Sequence, residues 1–326
     1  MLSKLVFFGI VPAALLALEG YLPEEAEEPI RPWFTGPLIT SNPNVISEGH
    51  YNIEPYLYGT AYTAFYDDDW HANSSPTFWS VSPQIYIQVG ILSWLDVQFV
   101  PVLYWNYTAG AGNWALGDLS AQFDAQFHRN QLPHKSWLPS IKFTLKETAP
   151  LGKYRNFNPA KKDTQLGGQG AWVTTAALTF GKMIHFSGYR FLHSRLSIAC
   201  GYSAPIHLKG FNACGGAFAT NGTFYSGLQT EADLAFEYSF TRHWAFALDL
   251  QGIWIASSRF QGMSGLDFEG VPAYHGLAPA IQYNVAPAIE YNWSYNLGLI
   301  AGVWFTVAGK NIPKFTNGVI ALNYFK

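Results

Sequence analysis

Acidic and amide side chains occupy four of five alternate positions in one stretch of the chain. In residues 228–237, one parity includes Gln229, Glu231, Asp233 and Glu237, and the other includes Leu228, Thr230, Ala232, Leu234 and Phe236. Successive side chains of a β-strand point to opposite faces, so these carboxylates would share one face. Carboxylates that line a water-filled passage favour cations and polar solutes. The spacing therefore predicts a row of carboxylates on the wall of a polar passage.

Charged residues on the corresponding face of other predicted strands extend this set. The acidic lumen candidates are Glu54, Asp96, Asp118, Asp124, Glu231, Asp233, Glu237, Asp249 and Glu290, and the basic ones are Lys142, Lys146 and Arg195. We expect the acidic wall to lie opposite the basic residues and to set a transverse field across the lumen. The alternative is that these charges pair with one another and fill a narrow barrel.

A second group of charges lies in a loop, residues 150–169. Its basic members are Lys153, Arg155, Lys161 and Lys162, and Asp163 is its only acidic residue. If the loop folds into a pore, it narrows the passage or attracts anionic solutes. The alternative is an external loop surrounded by water.

One acidic run and one His-Ser pair raise the questions of metal binding and catalysis. Asp67, Asp68 and Asp69 lack the spaced ligands and the glycine of a calcium loop, so no metal site is predicted. His193 precedes Ser194, but the sequence contains neither the His-x-Ser-Asn-Gly pattern of the outer-membrane phospholipase nor Gly-x-Ser-x-Gly. We therefore expect no enzymatic activity and no cofactor, with a lipid hydrolase as the least favoured alternative.

The same alternation runs through most of the chain and predicts the elements that hold these charges. In residues 276–293, one parity is Leu277, Pro279, Ile281, Tyr283, Val285, Pro287, Ile289, Tyr291 and Trp293, and the other is Ala278, Ala280, Gln282, Asn284, Ala286, Ala288, Glu290 and Asn292. A strand with this pattern has one apolar and one polar face. Aromatic residues become denser near the strand ends, which is typical of a transmembrane β-barrel with lipid outside and water within.

The composition supports an exterior that faces lipid. The 326 residues are 17% aromatic and only 13% charged, about half the charged share of a typical globular protein. The mean hydropathy is nevertheless +0.03, because apolar residues alternate with polar ones. No apolar run in the sequence is long enough for a membrane-spanning helix. The net charge of −3 and the lack of basic stripes argue against a nucleic-acid partner.

Twelve strands follow from the alternation and from the turn residues between them. They cover residues 50–65, 77–91, 95–108, 115–128, 137–149, 170–184, 192–205, 224–240, 243–256, 276–292, 295–308 and 314–325. An even strand number, with short turns on one side and longer loops on the other, is typical of bacterial barrels. We therefore predict an all-β fold, a single antiparallel transmembrane β-barrel of about 12 strands over residues 50–326.

Two segments precede the predicted barrel. Lys4 and the mostly apolar residues 5–18 resemble a secretory signal, so residues 1–20 are predicted to be a signal-like segment. Residues 21–49 contain Glu24, Glu25, Glu27 and Glu28 among several prolines, with no sustained periodicity. We expect them to form a polar N-terminal stretch in the periplasm.

Aromatic residues flank the connections that we assign to the periplasmic side. They are Trp94, Trp137, Phe186, Phe240, Trp244, Tyr291, Trp293 and Tyr295. Amphipathic rings prefer the headgroup level of a bilayer. The expected location is the cell outer membrane, with membrane lipid as the partner of the outer face.

Three short motifs resemble those of a known family. They are Gly117-Asp118-Leu119 at the start of a strand, Thr148-Ala149-Pro150-Leu151-Gly152-Lys153-Tyr154 at the end of another, and the glycines Gly167, Gly168 and Gly170. Through these motifs, residues 80–325 resemble the outer-membrane family associated with the meta-cleavage pathway of phenol degradation, described as transporter-like. The resemblance implies an outer-membrane barrel that passes small hydrophobic or aromatic compounds, and it supplies no catalytic residue.

These inferences give one functional hypothesis and one main alternative. The hypothesis is a porin-like passive channel or transporter for small solutes, in which the acidic wall and the basic loop bias what enters. The alternative is a largely plugged barrel that serves as a surface-exposed structural or interaction protein. The sequence leaves the solute and the oligomeric state undetermined.

Overall fold

The computed structural model describes residues 31–130 and 137–326. The signal-like segment, residues 1–20, lies outside the described residues, as does the first part of the predicted periplasmic stretch. In the described part of the chain, no helix has both the length and the apolar character needed to cross a membrane. These residues form seventeen strands and one 3-10 turn at Pro159–Lys161, so the fold is all-β.

In chain order, the strands are β1 (Tyr51–Tyr66), β2 (Ala72–Leu92), β3 (Leu95–Val100), β4 (Leu103–Thr108), β5 (Ala111–Leu116), β6 (Leu119–His128), β7 (Ser140–Ala149), β8 (Val173–Ser187), β9 (Arg190–Ser203), β10 (Ile206–Lys209), β11 (Asn221–Tyr225), β12 (Gln229–Ser239), β13 (Trp244–Ile255), β14 (Arg259–Met263), β15 (Ala280–Ser294), β16 (Leu297–Lys310) and β17 (Ile312–Phe325).

Twelve of these strands close into one barrel. Their order around it is β1, β2, β3, β6, β7, β8, β9, β12, β13, β15, β16 and β17, and neighbours are antiparallel. The cylinder is closed because β1 pairs with β2 on one side and with β17 on the other. Leu57, for example, lies opposite both Pro83 and Ile320. The predicted single antiparallel barrel of twelve strands is confirmed.

The barrel wall has an apolar outer face and a polar inner face. In β15, Tyr283 and Ile289 are 37% and 41% exposed, whereas Asn284 and Glu290 are 2% and 0% exposed. A soluble protein has the opposite distribution, with its apolar side chains buried. Closure also leaves the barrel without a free strand edge, which is the condition for a β-structure to cross a bilayer.

Two predicted strands are interrupted where the wall bends. The predicted strand 95–108 is divided into β3 and β4 at Pro101, which has no N–H for a sheet. The predicted strand 115–128 is divided into β5 and β6 at Gly117, whose N–H donates to Val102 O at 2.8 Å. A Cβ at Gly117 would lie 2.7 Å from the Cβ of Val102, so this approach requires glycine. β4 and β5 pair with each other as a hairpin at the bend.

Two predicted loops contain additional short strands. Residues 206–223 contain β10 and the start of β11, and residues 257–275 contain β14. β11 ends at Tyr225, two residues beyond the first range. The three strands pair as a separate sheet. These strands have only four or five residues each. Such short runs carry too little alternation to be recognised in the sequence.

The two ends of the barrel carry different connections. Among the described residues, the turn end carries 93–94, 129–130, 137–139, 188–189, 240–243 and 295–296, and the loop end carries 67–71, 109–110, 150–172, 204–228, 256–279 and 311. The predicted aromatic residues lie at the turn end, where Trp94, Trp137 and Tyr295 are 52%, 84% and 58% exposed. Exposed rings at one rim are typical of the interfacial belt of a membrane barrel.

Candidate functional site in the barrel lumen

An N-terminal segment lies inside the barrel at the turn end. We call residues 33–47 the inner segment, because its backbone bonds to side chains on the inner face of the wall. One main anchor is Asp249 of β13, which is fully buried. Its carboxylate accepts hydrogen bonds from Leu38 N at 3.0 Å, Thr40 N at 3.0 Å and Thr40 Oγ1 at 2.8 Å.

Two other carboxylates hold the ends of the inner segment. Near its start, Thr35 N donates to Glu290 Oε2 of β15 at 2.7 Å. Near its end, Ile46 N donates to Asp96 Oδ2 of β3 at 2.7 Å. Hydrogen bonds from backbone N–H groups to carboxylates are stronger than those between neutral groups. Three of the carboxylates that we predicted to line a passage therefore hold the protein's own backbone.

The wall is shaped to accept the inner segment. Leu38 is buried in a cluster whose wall members are Tyr58, Ala247, Ala286, Ala288, Ile300, Val319 and Ala321. A Cβ at Gly90 would overlap Ser47 O, and a Cβ at Gly181 would overlap the ring of Pro43. Small residues at these positions leave room for a second backbone inside the barrel.

The inner segment belongs to the stretch, residues 21–49, that the sequence predicted to be periplasmic. Residues 33–47 of this stretch lie inside the barrel, bonded to the wall, and residues 21–30 lie outside the described residues. The sequence carried one signal of the contact. Ala286 and Ala288 on the polar face of β15 are small and apolar, which suits contact with a buried segment better than contact with water.

Beside the inner segment, the lumen encloses a cavity of about 550 Å³. Six predicted lumen residues line it, namely Glu54, Lys142, Lys146, Arg195, Glu231 and Asp233. The other six, Asp96, Asp118, Asp124, Glu237, Asp249 and Glu290, bond to protein groups around it and are not among the described residues that line it. The alternation did not indicate which of these residues reach the open space.

Two of the three basic lumen residues have buried acidic partners. Lys142 Nζ lies 3.1 Å from Asp124 Oδ2, and both side chains are almost fully buried. Arg195 donates to Glu237, and this pair is buried as well. Paired charges largely cancel each other's field at a distance. Lys146 has no ion-pair partner among the described residues, so it is the basic residue best placed to act on a solute.

The acidic wall contributes one adjacent pair to the cavity. Glu231 and Asp233 lie on the same face of β12, and Gln251 Nε2 donates to Glu231 Oε1 at 2.6 Å. Asp233 is only 6% exposed, and its Oδ1 accepts no hydrogen bond from the described residues. The acidic residues that line the cavity are therefore this pair on β12 and Glu54 on β1, and Lys146 is the lining basic residue without an ion-pair partner among the described residues.

The part of the cavity wall formed by β1 and β2 is aromatic. The rings of Tyr56 and Tyr58 stack with centroids 5.5 Å apart, and the ring of Tyr86 lies 4.9 Å from that of Tyr56. Glu54, two residues before Tyr56, accepts a hydrogen bond from Asn323 Nδ2 at 2.5 Å. This side of the cavity thus combines ring faces with a carboxylate that already has donors.

Asp118 closes the base of the loop between β7 and β8. Its carboxylate accepts from Gly152 N and Gln169 N, each at 2.9 Å. Farther along the loop, Leu166 O accepts from Asn106 Nδ2 at 2.7 Å, and Asn106 is buried on the inner face of β4. Part of the loop therefore lies inside the rim at the loop end.

The four basic residues of this loop do not line the cavity among the described residues. Lys153, Lys161 and Lys162 are exposed. Lys162 Nζ donates to Ala109 O at the tip of the β4–β5 hairpin at 2.7 Å, and Arg155 donates to a backbone carbonyl of β10 at 3.1 Å. Their positions suit an influence on solutes at the outer mouth rather than inside the cavity.

The His-Ser pair considered for catalysis is divided between the two faces of β9. His193 is buried in the lumen, with Nδ1 3.1 Å from Glu237 Oε2. Ser194 follows it and therefore points to the other face, where its Oγ donates to Lys182 O at 3.3 Å. The two side chains do not form a hydrogen-bonded Ser-His pair.

Asp67 organises the connection between β1 and β2. Its Oδ1 accepts from His71 N and Asp69 N, and its Oδ2 accepts from Asn73 Nδ2, each at 2.9 Å. The hydrogen bond from His71 N, followed by that from Asn73, holds the pKa of Asp67 below its ordinary value. This carboxylate of the acidic run thus acts in loop closure.

Comparison with known proteins supports the fold. No protein-family model and no curated protein matches the chain. The crystal structure of an outer membrane channel from Pseudomonas putida F1 matches 88% of this chain and 99% of that chain, with a TM-score of 0.66 and 14% identity. The NanC porin matches 83% of this chain and 98% of its own, with a TM-score of 0.44 and 6% identity. The translocator domain of the autotransporter NalP from Neisseria meningitidis matches 86% and 89%, with a TM-score of 0.44 and 9% identity.

The likeness to the Pseudomonas structure shows a shared fold at low identity. The resemblance to the phenol-degradation family stays a prediction, although the barrel that it implies is confirmed. A closed antiparallel barrel with apolar side chains outside, charges inside and aromatic residues at its rim is the architecture of outer-membrane proteins. The chain is an outer-membrane β-barrel, as the sequence predicted.

Proposed function

We propose that this barrel is a passive channel for small solutes across the outer membrane. The observation that carries the proposal is the lumen cavity of about 550 Å³, lined by charged, amide and phenol groups. Barrels of about eight strands are filled by side chains, and those of about sixteen leave a wide aqueous channel. A barrel of twelve strands with an internal cavity suits the passage of small molecules.

In this proposal, the inner segment narrows the passage at the turn end. It is held by hydrogen bonds to Asp249, Glu290 and Asp96, and by the burial of Leu38, rather than by strand pairing within the barrel. Movement of the segment would change the bore without unfolding the wall. The stacked rings of Tyr56 and Tyr58 support a preference for solutes with an aromatic or hydrophobic part.

A plugged barrel that acts through its outer surface is the second candidate. It is favoured by the sheet of β10, β11 and β14 at the loop end and by an aromatic cluster there. Phe218 and Phe268 lie 4.9 Å apart and are 46% and 75% exposed. Exposed apolar groups on a water-facing surface are a common feature of interaction sites.

Conductance measurements separate the two candidates. The purified full-length chain is inserted into planar lipid bilayers in potassium chloride, beside a variant in which residues 33–47 are replaced by a Gly/Ser linker of equal length. The channel proposal predicts discrete current steps for the natural chain and larger steps for the variant. Silence of both proteins, with folding verified by circular dichroism, would contradict the channel proposal and favour the second candidate.

A further inference from the structure

We propose that the lumen cavity binds a small zwitterionic solute with an aromatic body, whose ammonium group is held by Glu231 and Asp233 and whose carboxylate is held by Lys146. The inference rests on the proposed channel function and names the class of solute. Three separate parts of the cavity wall carry it: the acidic pair, the basic residue and the tyrosines.

The acidic pair has fewer hydrogen-bond donors than its four carboxylate oxygens can accept from. Asp233 is 94% buried, lines the cavity, and has an Oδ1 atom that no donor among the described residues reaches. Glu231 beside it receives one hydrogen bond, from Gln251. Carboxylates only accept, whereas a primary ammonium group offers three donors. A buried carboxylate oxygen without a donor is costly, so the pair provides a site for an ammonium group.

Lys146 supplies the opposite charge. The other basic residues at the cavity already have partners: Lys142 pairs with Asp124, Arg195 pairs with Glu237, and Arg129 donates to a carbonyl of the inner segment. Lys146 lines the same cavity without an ion pair or hydrogen bond to the described residues. Its ammonium group on a flexible stem can reach a carboxylate in the cavity.

The spacing of the two charges sets the length of the solute. In register, Lys146 lies opposite Thr175 of β8, Thr175 opposite Gly201 of β9, and Gly201 opposite Gln229 of β12. Lys146 is therefore three strands from the acidic pair, or about 14 Å along the curved wall at 4.8 Å per strand. The intervening lining residues are small: Thr175, Ala177, Ser197 and Ala199. The solute thus needs a body between its two charged ends.

The tyrosines face that body. Tyr56 and Tyr58 are on β1 and Tyr86 is on β2, and β2 is six strands from β12 in the ring of twelve. The rings therefore lie across the lumen from the acidic pair and line the same cavity. Aromatic faces attract other rings and ammonium groups, and their phenol groups tolerate water. A solute with an aromatic ring between its two charged ends can contact the acidic pair, Lys146 and the tyrosines at the same time.

Calorimetric titration of the full-length protein in detergent tests the site with three matched probes. The zwitterion is 4-(aminomethyl)benzoate, benzylamine lacks its carboxylate, and 4-methylbenzoate lacks its ammonium group. We expect the zwitterion to bind at least about tenfold more tightly than either single-charge probe, because each charged end adds a charge-assisted hydrogen bond. Equal binding of the three probes, or binding of none, would overturn the inference.

Variants test which residues hold the ammonium end and the carboxylate end of the solute. Glu231→Gln with Asp233→Asn should remove the advantage of the zwitterion over 4-methylbenzoate, and Lys146→Gln should remove its advantage over benzylamine. Glu147→Gln, on the opposite face of β7, is the control and should change neither. If the double variant fails to fold, Glu231→Gln alone provides the acidic test. If the Lys146 and Glu231 variants still distinguish the zwitterion from both single-charge probes, the inference is overturned, and the two carboxylates only share a proton with each other.

The inference and the channel proposal fail separately. Current steps without discrimination among the probes would refute the zwitterion site and leave the channel standing. Selective binding of the zwitterion without current steps would refute the channel and leave a binding site in a closed barrel. In a conducting protein, the zwitterion should also reduce the current more than either control probe at the same concentration.

Discussion

Removal of the Asp249 carboxylate should release the middle of the inner segment. The side chain is 0% exposed and accepts hydrogen bonds from Leu38 N, Thr40 N and Thr40 Oγ1. In Asp249→Ala, both backbone N–H groups lose their acceptor in a place that water reaches poorly. Undocking of the segment from the wall would expose both N–H groups to water.

The expected size follows from the two backbone donors. A hydrogen bond to a charged group contributes about 1.5–3 kcal/mol, so the two bonds together contribute about 3–6 kcal/mol to docking of the segment. Each 1.4 kcal/mol corresponds to about a tenfold change in an equilibrium constant. Asp249→Ala should therefore shift the balance between docked and undocked segment by about 10² to 10⁴. Asp249→Asn, which keeps one acceptor oxygen, should shift it less.

Single-channel recording in planar bilayers reads out this shift. We expect Asp249→Ala to spend more time in a state of higher conductance than the natural chain, with Asp249→Asn between them. A cysteine at position 39 should also react faster with a water-soluble thiol reagent in the alanine variant. If a folded Asp249→Ala protein shows the same conductance and the same reaction rate as the natural chain, the inner segment is not held as we describe.

Three further predictions concern the buried pair Arg195–Glu237, the Asp118 hydrogen bonds at the base of the loop between β7 and β8, and the space for the inner segment. Arg195→Met leaves Glu237 buried without its basic partner, so the free energy of unfolding, measured by urea titration in lipid vesicles, should fall by about 3–5 kcal/mol. Asp118→Ala removes the acceptor for both ends of the loop between β7 and β8, so trypsin should cleave after Lys153 or Lys161 faster. Gly90→Val places side-chain atoms where the inner segment runs, so the variant should fold but show larger current steps.

Each of these predictions has a matched control. Arg195→Met with Glu237→Gln should recover part of the lost stability, and no recovery would show that the pair is not the cause. Asp267→Asn changes an acid in a different loop and should leave cleavage between β7 and β8 unchanged. Gly318→Ala adds a Cβ on the exposed face of β17, where it meets no atom within 4 Å, and should leave the current steps unchanged.

The strands and their faces could be predicted from the sequence because alternation is local. Residues 276–293 alternate without interruption, and β15 presents each parity to the expected side. The division of two strands at Pro101 and Gly117 was not predicted, because neither residue interrupts the alternation strongly. The local pattern therefore gives the direction of a side chain more reliably than the end of a strand.

The contents of the lumen could not be predicted in the same way. Thr35 contacts Glu290 across 255 residues of sequence, and periodicity carries no information about such contacts. Alternation placed Asp249 and Glu231 on the inner face alike, yet one holds the inner segment and the other lines the cavity. Depth along the barrel and the partner of each charge decide these roles, and both depend on the packed structure.

Spin-label accessibility in lipid vesicles tests most directly that one face of the wall contacts lipid and the other faces the lumen. Nitroxide labels are placed one at a time at positions 281–290 of β15, and relaxation by oxygen, which concentrates in lipid, is compared with relaxation by a water-soluble nickel chelate. The structure predicts a period of two, with oxygen dominant at Tyr283, Val285 and Ile289 and weak at the positions between them. Equal accessibility to the chelate at both parities would show that the apolar face does not contact lipid and would contradict the account.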